Sequence, residues 1–143
     1  HIIGRQFNWS FRYVGADNEW GTEDDYTGPE LVIPKDRHVV LRLRSLDVIH
    51  SFYMPHVRLK TDVVPGITTG MWFKVREAGS FPIACAELCG VQHYTMGATM
   101  RVLEQDEWGR HVADKSKESV DDGGIAYSMT NVNEMFRFWP LAK

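Results

Sequence analysis

The chain has 143 residues, of which 43% are hydrophobic and 24% are charged. This length suits one ordinary domain with a hydrophobic core, and the composition excludes wholesale disorder. The formal net charge of -3 and the lack of a basic cluster argue against nucleic-acid binding, and no apolar run approaches the ~20 residues that cross a bilayer.

Most of the pattern along the chain predicts β-strands. In residues 38–45, Val39, Leu41 and Leu43 fall on one face by strict alternation. Alternation or an enrichment in aromatic and β-branched residues predicts four strands, at 6–13, 38–45, 68–75 and 98–103. Turn signals lie between them, at 28–29, 34–36, 65–66 and 78–80. Short strands at this spacing favour a sandwich or barrel over a fold that alternates strands with helices.

The C-terminal part of the chain has a different character. Residues 104–117 favour a short helix, and 118–124 favour a linker or an exposed loop. Apolar residues become frequent again in 125–143. We therefore predict a domain over 1–117 and a linker with a C-terminal extension over 118–143, which leads into a segment absent from this chain.

Both cysteines of the chain lie in the stretch CAELCGVQHYTM, where His93 and Met96 follow them closely. Thiolate and thioether groups are soft ligands and imidazole is borderline, so the combination favours copper over magnesium or calcium. Cys85 and Cys89 are four residues apart, a spacing that a compact loop can bring together. We predict a metal-binding loop between two strands, completed by a histidine from elsewhere, for which His50 is the best candidate.

The number of cysteines bears on the kind of metal centre. One cysteine would indicate a mononuclear site, whereas two favour a pair of copper ions bridged by both thiolates. Sharing one electron between two metal ions keeps the change at each bond small. A structural thiol pair, a local disulfide and a tetrahedral zinc site remain alternatives at this point.

The same motif, together with VIHSFYMPHVRLKTDVVPG upstream and GRQFNWSFRY near the start, resembles the CuA domain of cytochrome c oxidase subunit II. The resemblance extends over about residues 4–108. It implies an all-β, cupredoxin-like Greek-key barrel or sandwich with a short C-terminal helical extension. It also implies a soluble fragment from the outer, periplasmic face of a cell membrane, or from the intermembrane-space side in mitochondria, whose membrane-spanning segments precede this chain.

The resemblance implies a role for each candidate ligand. The six copper ligands would be two bridging thiolates, two imidazoles, one weak thioether and one backbone carbonyl, contributed by Cys85, Cys89, His50, His93, Met96 and Glu87 respectively. The side chain of Glu87 would also face a magnesium or manganese ion, but only in the intact complex.

The resemblance also implies a path for the electron. A cytochrome c, or another small soluble or tethered donor, would deliver it to the two copper ions. It would leave through His93 towards the haem of the catalytic subunit, oxidase subunit I, which reduces oxygen to water. The domain alone would perform only electron transfer, as the entry point of the oxidase.

The docking surface for the donor is a further expectation. The family usually shows Gln-Trp-aromatic-Trp and uses the first tryptophan for electron entry, whereas this chain has Phe7 at that position and retains Trp9. Asp47, close before His50, could help docking or orient that imidazole. A turn-rich acidic loop could steer a basic cytochrome c, and its carboxylates are Asp17, Glu19, Glu23, Asp24 and Asp25.

Two other functions compete with the oxidase. A nitrous oxide reductase has the same metal centre, but that family tends to place an aromatic residue between the cysteines, where this chain has Glu87. A copper chaperone of thioredoxin fold also shows two cysteines and a distant histidine. It would require alternating strands and helices and a proline after the second cysteine, where this chain has Gly90.

Overall fold

The computed structural model describes residues 1–121 of the chain. Within them it contains ten β-strands, two short 3-10 helices and one α-helix. The strands are β1 (Ile2–Arg5), β2 (Asn8–Tyr13), β3 (Tyr26–Gly28), β4 (Leu31–Pro34), β5 (Val39–Ser45), β6 (His50–Met54), β7 (Leu59–Val63), β8 (Thr69–Phe73), β9 (Gly79–Cys85) and β10 (Gly97–Leu103). The 3-10 helices are Pro55–Val57 and His93–Thr95, and the α-helix is α1 (Gln105–Asp121).

The strands form two five-stranded sheets, with the orders β3-β2-β1-β5-β8 and β4-β10-β9-β6-β7. β1 pairs in parallel with β5 and β4 pairs in parallel with β10, whereas β9 pairs antiparallel with both β10 and β6. The two sheets share one apolar core, in which the rings of Phe11 on β2 and Phe52 on β6 lie 6.3 Å apart. This arrangement confirms the predicted all-β sandwich.

Alternation predicted the strands that face the core on one side only. Leu41 and Leu43 of β5 are buried, and so are Trp9 and Phe11 of β2. The polar residues between them lie on the other face of the sheet, where water is available for hydrogen bonding. The predicted strand over 6–13 begins two residues later, at Asn8.

Several strands lack the alternation that would predict them. All four residues of β4 are buried, and in β6 only Tyr53 is not, so neither strand shows a polar face. The turn predicted at 78–80 is wrong from Gly79 onwards, because β9 begins there and pairs with β10 as far as Ala84. Gly79 and Ser80 favoured a turn locally, and pairing with β10 overrides that preference.

The chain divides into two compact units, of which the first comprises His1–Tyr13 and Thr27–His111. The second comprises Val14–Tyr26 and Val112–Lys143, and the structure describes its residues only as far as Asp121. In this second unit the hydroxyl of Ser116 accepts a hydrogen bond from the backbone N–H of Ala16 at 3.0 Å.

Helix α1 is longer than the predicted helix over 104–117, because it continues through Asp121. The first four residues of the predicted linker are therefore helical, and the domain boundary at 117 stays a prediction. The expected extension over 125–143 lies outside the described residues. Across residues 1–121, no helix combines the length and the apolar character that a membrane crossing requires.

Candidate metal centre

Three parts of the first unit bring the predicted ligands together. His50 is the first residue of β6, and Cys85 is the last residue of β9. In the pairing of β6 with β9, Cys85 lies opposite Phe52, so His50 is two residues from the position opposite Cys85, on the same face of the sheet. The remaining ligands lie in the loop between β9 and β10, which we call the metal loop (residues 86–96).

The sulfur atoms of the two cysteines are the centre of this arrangement. The Sγ atoms of Cys85 and Cys89 are 3.8 Å apart, and both thiols are free. This separation is far longer than the ~2.05 Å of a disulfide bond. The Sδ atom of Met96 lies 3.7 Å from Cys89 Sγ, and the carbonyl oxygen of Glu87 lies 3.3 Å from Cys85 Sγ.

Each thiol has an imidazole of its own. His50 Nδ1 lies 4.0 Å from Cys85 Sγ, and His93 Nδ1 lies 3.6 Å from Cys89 Sγ. One ligand atom from each of His50, Cys85 and Cys89 falls within 4.8 Å of the others, which is compact enough to hold a metal ion. The donors that the sequence predicted for copper are therefore gathered at one place.

Asp47 orients the imidazole of His50. Its Oδ1 atom lies 2.8 Å from His50 Nε2, and an ionised carboxylate can only accept a hydrogen bond, so the N–H is on that nitrogen. The other nitrogen, Nδ1, is thereby left with its lone pair towards the sulfur atoms, as metal-binding histidines require. His50 is completely buried, and its ring also packs edge-to-face against Trp9 at 5.7 Å.

The pKa of Asp47 is lowered to about 2. Partial burial alone would raise this pKa, but hydrogen bonds from the Gln6 N–H, the His50 ring and the Val48 N–H outweigh that effect. The N–H of Gln6 is 2.7 Å from Asp47 Oδ2, and the N–H of Val48 is 2.7 Å from Asp47 Oδ1. Asp47 is therefore a fixed negative charge beside the site at neutral pH.

Backbone hydrogen bonds close the metal loop. The N–H of Cys85 donates to the carbonyl of Met96 at 3.0 Å, so the two ends of the loop lie together. Within it, the N–H of His93 donates to the carbonyl of Gly90 at 3.0 Å, and the N–H of Met96 donates to the carbonyl of His93 at 3.1 Å. Gly90 has φ +135°, a conformation that other residues rarely adopt.

The thiol of Cys89 favours its protonated form when no cation is near. The pKa of Cys89 is raised to about 11, first by burial and then by the hydrogen bond and charge interaction with Cys85. A bound metal ion reverses this preference, because it stabilises both thiolates. The pair is thus suited to a cation and poorly suited to carrying two free negative charges.

The predicted docking residues lie in different surroundings. Trp9 is buried against His50 and Phe52, and Phe7 is half-buried with its ring beside Gly90. In the acidic loop, Asp17, Glu19 and Glu23 are exposed, Asp24 is half-buried and Asp25 is buried. The part of these residues in docking stays a prediction. The magnesium or manganese ion expected at Glu87 also stays a prediction, and the side chain of Glu87 is exposed.

Sequence reasoning missed two features of the site. Gln6 contacts it twice, since its N–H binds Asp47 and its side-chain amide donates to the carbonyl of Cys89 at 2.6 Å. The metal loop also carries three large exposed apolar residues at a spacing of three, namely Leu88, Val91 and Tyr94. The regular spacing of these three residues was the only signal for them in the sequence.

A two-sheet β-sandwich with a buried set of sulfur and imidazole donors at the end of its strands defines a copper-binding domain of the cupredoxin class. The family model of the periplasmic domain of cytochrome c oxidase subunit II matches residues 23–103, which is more than half of the chain. The chain belongs to this family.

Relatives and solved structures agree with this assignment. The alternative cytochrome c oxidase subunit 2 of Bradyrhizobium diazoefficiens is 36% identical over 130 residues, covering 75% of this chain and 47% of that protein. The cytochrome c oxidase subunit 2 of Alkalihalophilus pseudofirmus is 40% identical over 117 residues, covering 82% of this chain and 32% of that protein. The chain therefore spans 47% and 32% of the lengths of these two relatives, which is less than half of each.

The fold has close counterparts among solved structures. The periplasmic domain of subunit II of the cytochrome oxidase of Bradyrhizobium japonicum matches this chain with a TM-score of 0.68 at 29% identity. The match covers 82% of this chain and 91% of that one. This match confirms the predicted cupredoxin-like fold. A subunit II caught in a mixed disulfide with a thioredoxin-like protein matches with a TM-score of 0.65 at 28% identity, covering 82% of this chain and 89% of that one.

Proposed function

We propose that this chain is the electron-transfer domain of a haem–copper terminal oxidase and holds a dinuclear copper CuA centre. The observation that carries the proposal is the pair of free thiols 3.8 Å apart, each with its own imidazole. Two sulfur atoms at this spacing suit two metal ions bridged by both thiolates. Donor sets of sulfur and imidazole nitrogen favour copper over harder cations.

Each ligand has its own part in holding the metal. The thiolates of Cys85 and Cys89 would bridge, while His50 and His93 would bind one ion each. Met96 and the carbonyl of Glu87 would act as weaker ligands that tune the site. When bound, the copper pair supplies a one-electron redox couple, which is the chemistry that an electron-transfer domain needs.

The chain itself limits how far the ligands move when the electron arrives or leaves. His50 is fixed by Asp47, and the metal loop is closed by the hydrogen bond between Cys85 and Met96. Met96 and Cys89 are buried, so water has little access to the sulfur atoms. Rigid ligands in a dry site need little rearrangement, and fast electron transfer depends on that.

The surroundings of the site support a protein partner for the electron. Leu88, Val91 and Tyr94 are 77%, 88% and 85% exposed, which is unusual for large apolar side chains that lie so near one another in the chain. We propose that a cytochrome c-type donor and oxidase subunit I make contact around the metal loop, on the periplasmic side or its mitochondrial equivalent. The match to oxidase subunit II favours this pairing over nitrous oxide reductase.

A copper chaperone of thioredoxin fold is excluded for the described residues, because they form two β-sheets and one α-helix. The relative in a mixed disulfide with a thioredoxin-like protein suggests a different link to that fold. We propose that a thioredoxin-like reductant also keeps Cys85 and Cys89 of this chain reduced before copper enters.

Copper reconstitution of matched variants tests the proposal. Cys85→Ser removes one bridging sulfur, and His50→Gln removes one imidazole, so both should lose the two-copper centre. His56→Gln is the control, since His56 stacks on Phe81 at 3.7 Å and takes no part in the cluster. Copper content and visible absorption are measured for each variant. An unaltered two-copper spectrum in Cys85→Ser would refute the bridging role.

A further inference from the structure

Gln6 makes two hydrogen bonds to the parts of the chain that carry the candidate ligands. It lies in the turn between β1 and β2. Its backbone N–H donates to Asp47, the carboxylate that orients His50, at 2.7 Å, and its side-chain amide donates to the carbonyl of Cys89 at 2.6 Å. One residue thus joins the segment that supplies His50 to the segment that supplies Cys89.

The turn that contains Gln6 also packs closely on the metal loop. A Cβ atom placed on Gly90 would lie 2.8 Å from Gln6 Nε2 and 2.9 Å from Phe7 Cζ, which is closer than real Cβ contacts. Glycine therefore lets the Cys89–Gly90 peptide approach this turn. Within residues 1–121, the amide of Gln6 is the only hydrogen-bond donor that reaches the Cys89 carbonyl.

The two cysteines are held in unequal ways. Cys85 ends β9 and is held by pairing with β6 and by its N–H bond to Met96. Cys89 lies in the metal loop, outside both sheets, and the hydrogen bond from Gln6 holds its carbonyl. If that contact is lost, Cys89 is the sulfur that is free to move towards Cys85.

We infer that Gln6 is a positioning residue that holds the Cys89 sulfur at the metal-bridging distance from Cys85 and so disfavours a disulfide between them. The present distance of 3.8 Å would have to shrink to about 2 Å for that bond to form. This inference rests on the proposed function for its purpose, because a disulfide would remove both bridging ligands.

The test uses the copper-free protein in glutathione redox buffers. Oxidised glutathione takes two electrons from the two thiols, so that the Cys85–Cys89 disulfide forms and two molecules of reduced glutathione are released. Gln6→Met keeps the length of the side chain but removes the amide, and it should shift this equilibrium about fivefold towards the disulfide, as expected for one lost hydrogen bond.

Gln92→Met is the matched control, because Gln92 is exposed in the same metal loop and its side chain makes no hydrogen bond within residues 1–121. It should leave the equilibrium unchanged. Gln6→Asn is a second test variant, which retains the amide but is one methylene shorter and should shift the equilibrium in the same direction. Equal equilibrium constants for the wild type and both Gln6 variants would overturn the inference.

A spectroscopic readout separates this inference from the proposed function. In copper-loaded Gln6→Met, a moved Cys89 should change the copper hyperfine splitting while the copper content stays that of the wild type. If the wild type binds only one copper ion, the proposed function fails, but the disulfide shift still tests the role of Gln6. An unchanged splitting together with an unchanged disulfide equilibrium would contradict the inference.

Discussion

Single charged groups determine how the site responds to pH, and Asp47 is the clearest of them. It stays ionised in the folded chain down to about pH 2, whereas an unfolded chain takes up the proton near the ordinary value of 3.8. A lowered pKa favours folding at every pH above the unfolded value. The contribution is therefore complete at neutral pH and is lost as the pH falls from about 4 to about 2.

Asp47→Asn in the copper-free protein should lower the free energy of unfolding by about 1–2 kcal/mol at pH 7, after allowance for partial exposure. The loss should be smaller at pH 3, where part of the contribution of Asp47 has already disappeared. Urea unfolding at both pH values measures it. Asp62→Asn is the control, since Asp62 is exposed on β7. A loss of equal size at pH 7 and pH 3 would contradict the role given to the Asp47 charge.

Five of the six candidate ligands lie within CAELCGVQHYTM, and the sequence could predict that they lie close together; their binding of copper stays a prediction. His50 was the best outside candidate because it follows the alternating strand that ends at Ser45, and family register favoured it over His56. Gln6 could not be found in this way, since its side-chain hydrogen bond reaches 83 residues along the chain to Cys89. Contacts of that range depend on how the strands pair, which residue patterns do not reveal.

At the scale of elements, alternation identified the strands that have one polar and one apolar face, such as β5. It missed β4 and β6, whose residues are nearly all buried, and it missed β9, which contains glycine and proline. Such strands form because their neighbours supply hydrogen bonds and burial, so their own sequence carries little signal. The metal loop was predicted as a loop, but its closure at Cys85 and Met96 follows from the pairing of β9 with β10.

Two glycine-to-alanine substitutions test the packing of the metal loop, one within the loop and one in helix α1 as a comparison. Gly90→Ala should destabilise the copper-free protein by about 2–4 kcal/mol, because alanine at φ +135° is strained and its Cβ would collide with Gln6 and Phe7. Gly109→Ala in helix α1 meets nothing within 4 Å and should stabilise the protein by about 0.5–1 kcal/mol. Urea unfolding compares the two. A loss below about 0.5 kcal/mol for Gly90→Ala would show that the turn can move away from the metal loop.

At the scale of the whole molecule, the sandwich brings candidate ligands from distant positions in the sequence to one end of neighbouring strands. The all-β class and the family could be predicted because the motif and the alternating strands agree. The division into units could not, because Val14–Tyr26 and the end of helix α1 are far apart in sequence. In that second unit the hydroxyl of Ser119 donates to the carbonyls of Asp25 and Glu23, at 2.8 and 3.0 Å.

The chain carries a negative net charge, so we expect it to attract a positively charged electron donor. If the exposed carboxylates of the acidic loop steer it, raising the ionic strength should slow electron delivery from a cationic cytochrome c. Stopped-flow mixing with the copper-loaded chain measures the salt dependence. The double variant with Glu19→Gln and Glu23→Gln should reduce the salt dependence of the electron-transfer rate. The control double variant with Glu107→Gln and Asp114→Asn removes the same charge from helix α1 and should reduce that dependence less. Equal slopes for the two double variants would remove the acidic loop from the docking account.

Electron paramagnetic resonance of the purified, copper-reconstituted chain, combined with its copper content, tests the central claim most directly. Bridging by Cys85 and Cys89 predicts two copper ions per chain and hyperfine structure from two equivalent copper nuclei that share one unpaired electron. One copper ion per chain, or hyperfine structure from a single nucleus, would contradict the dinuclear centre.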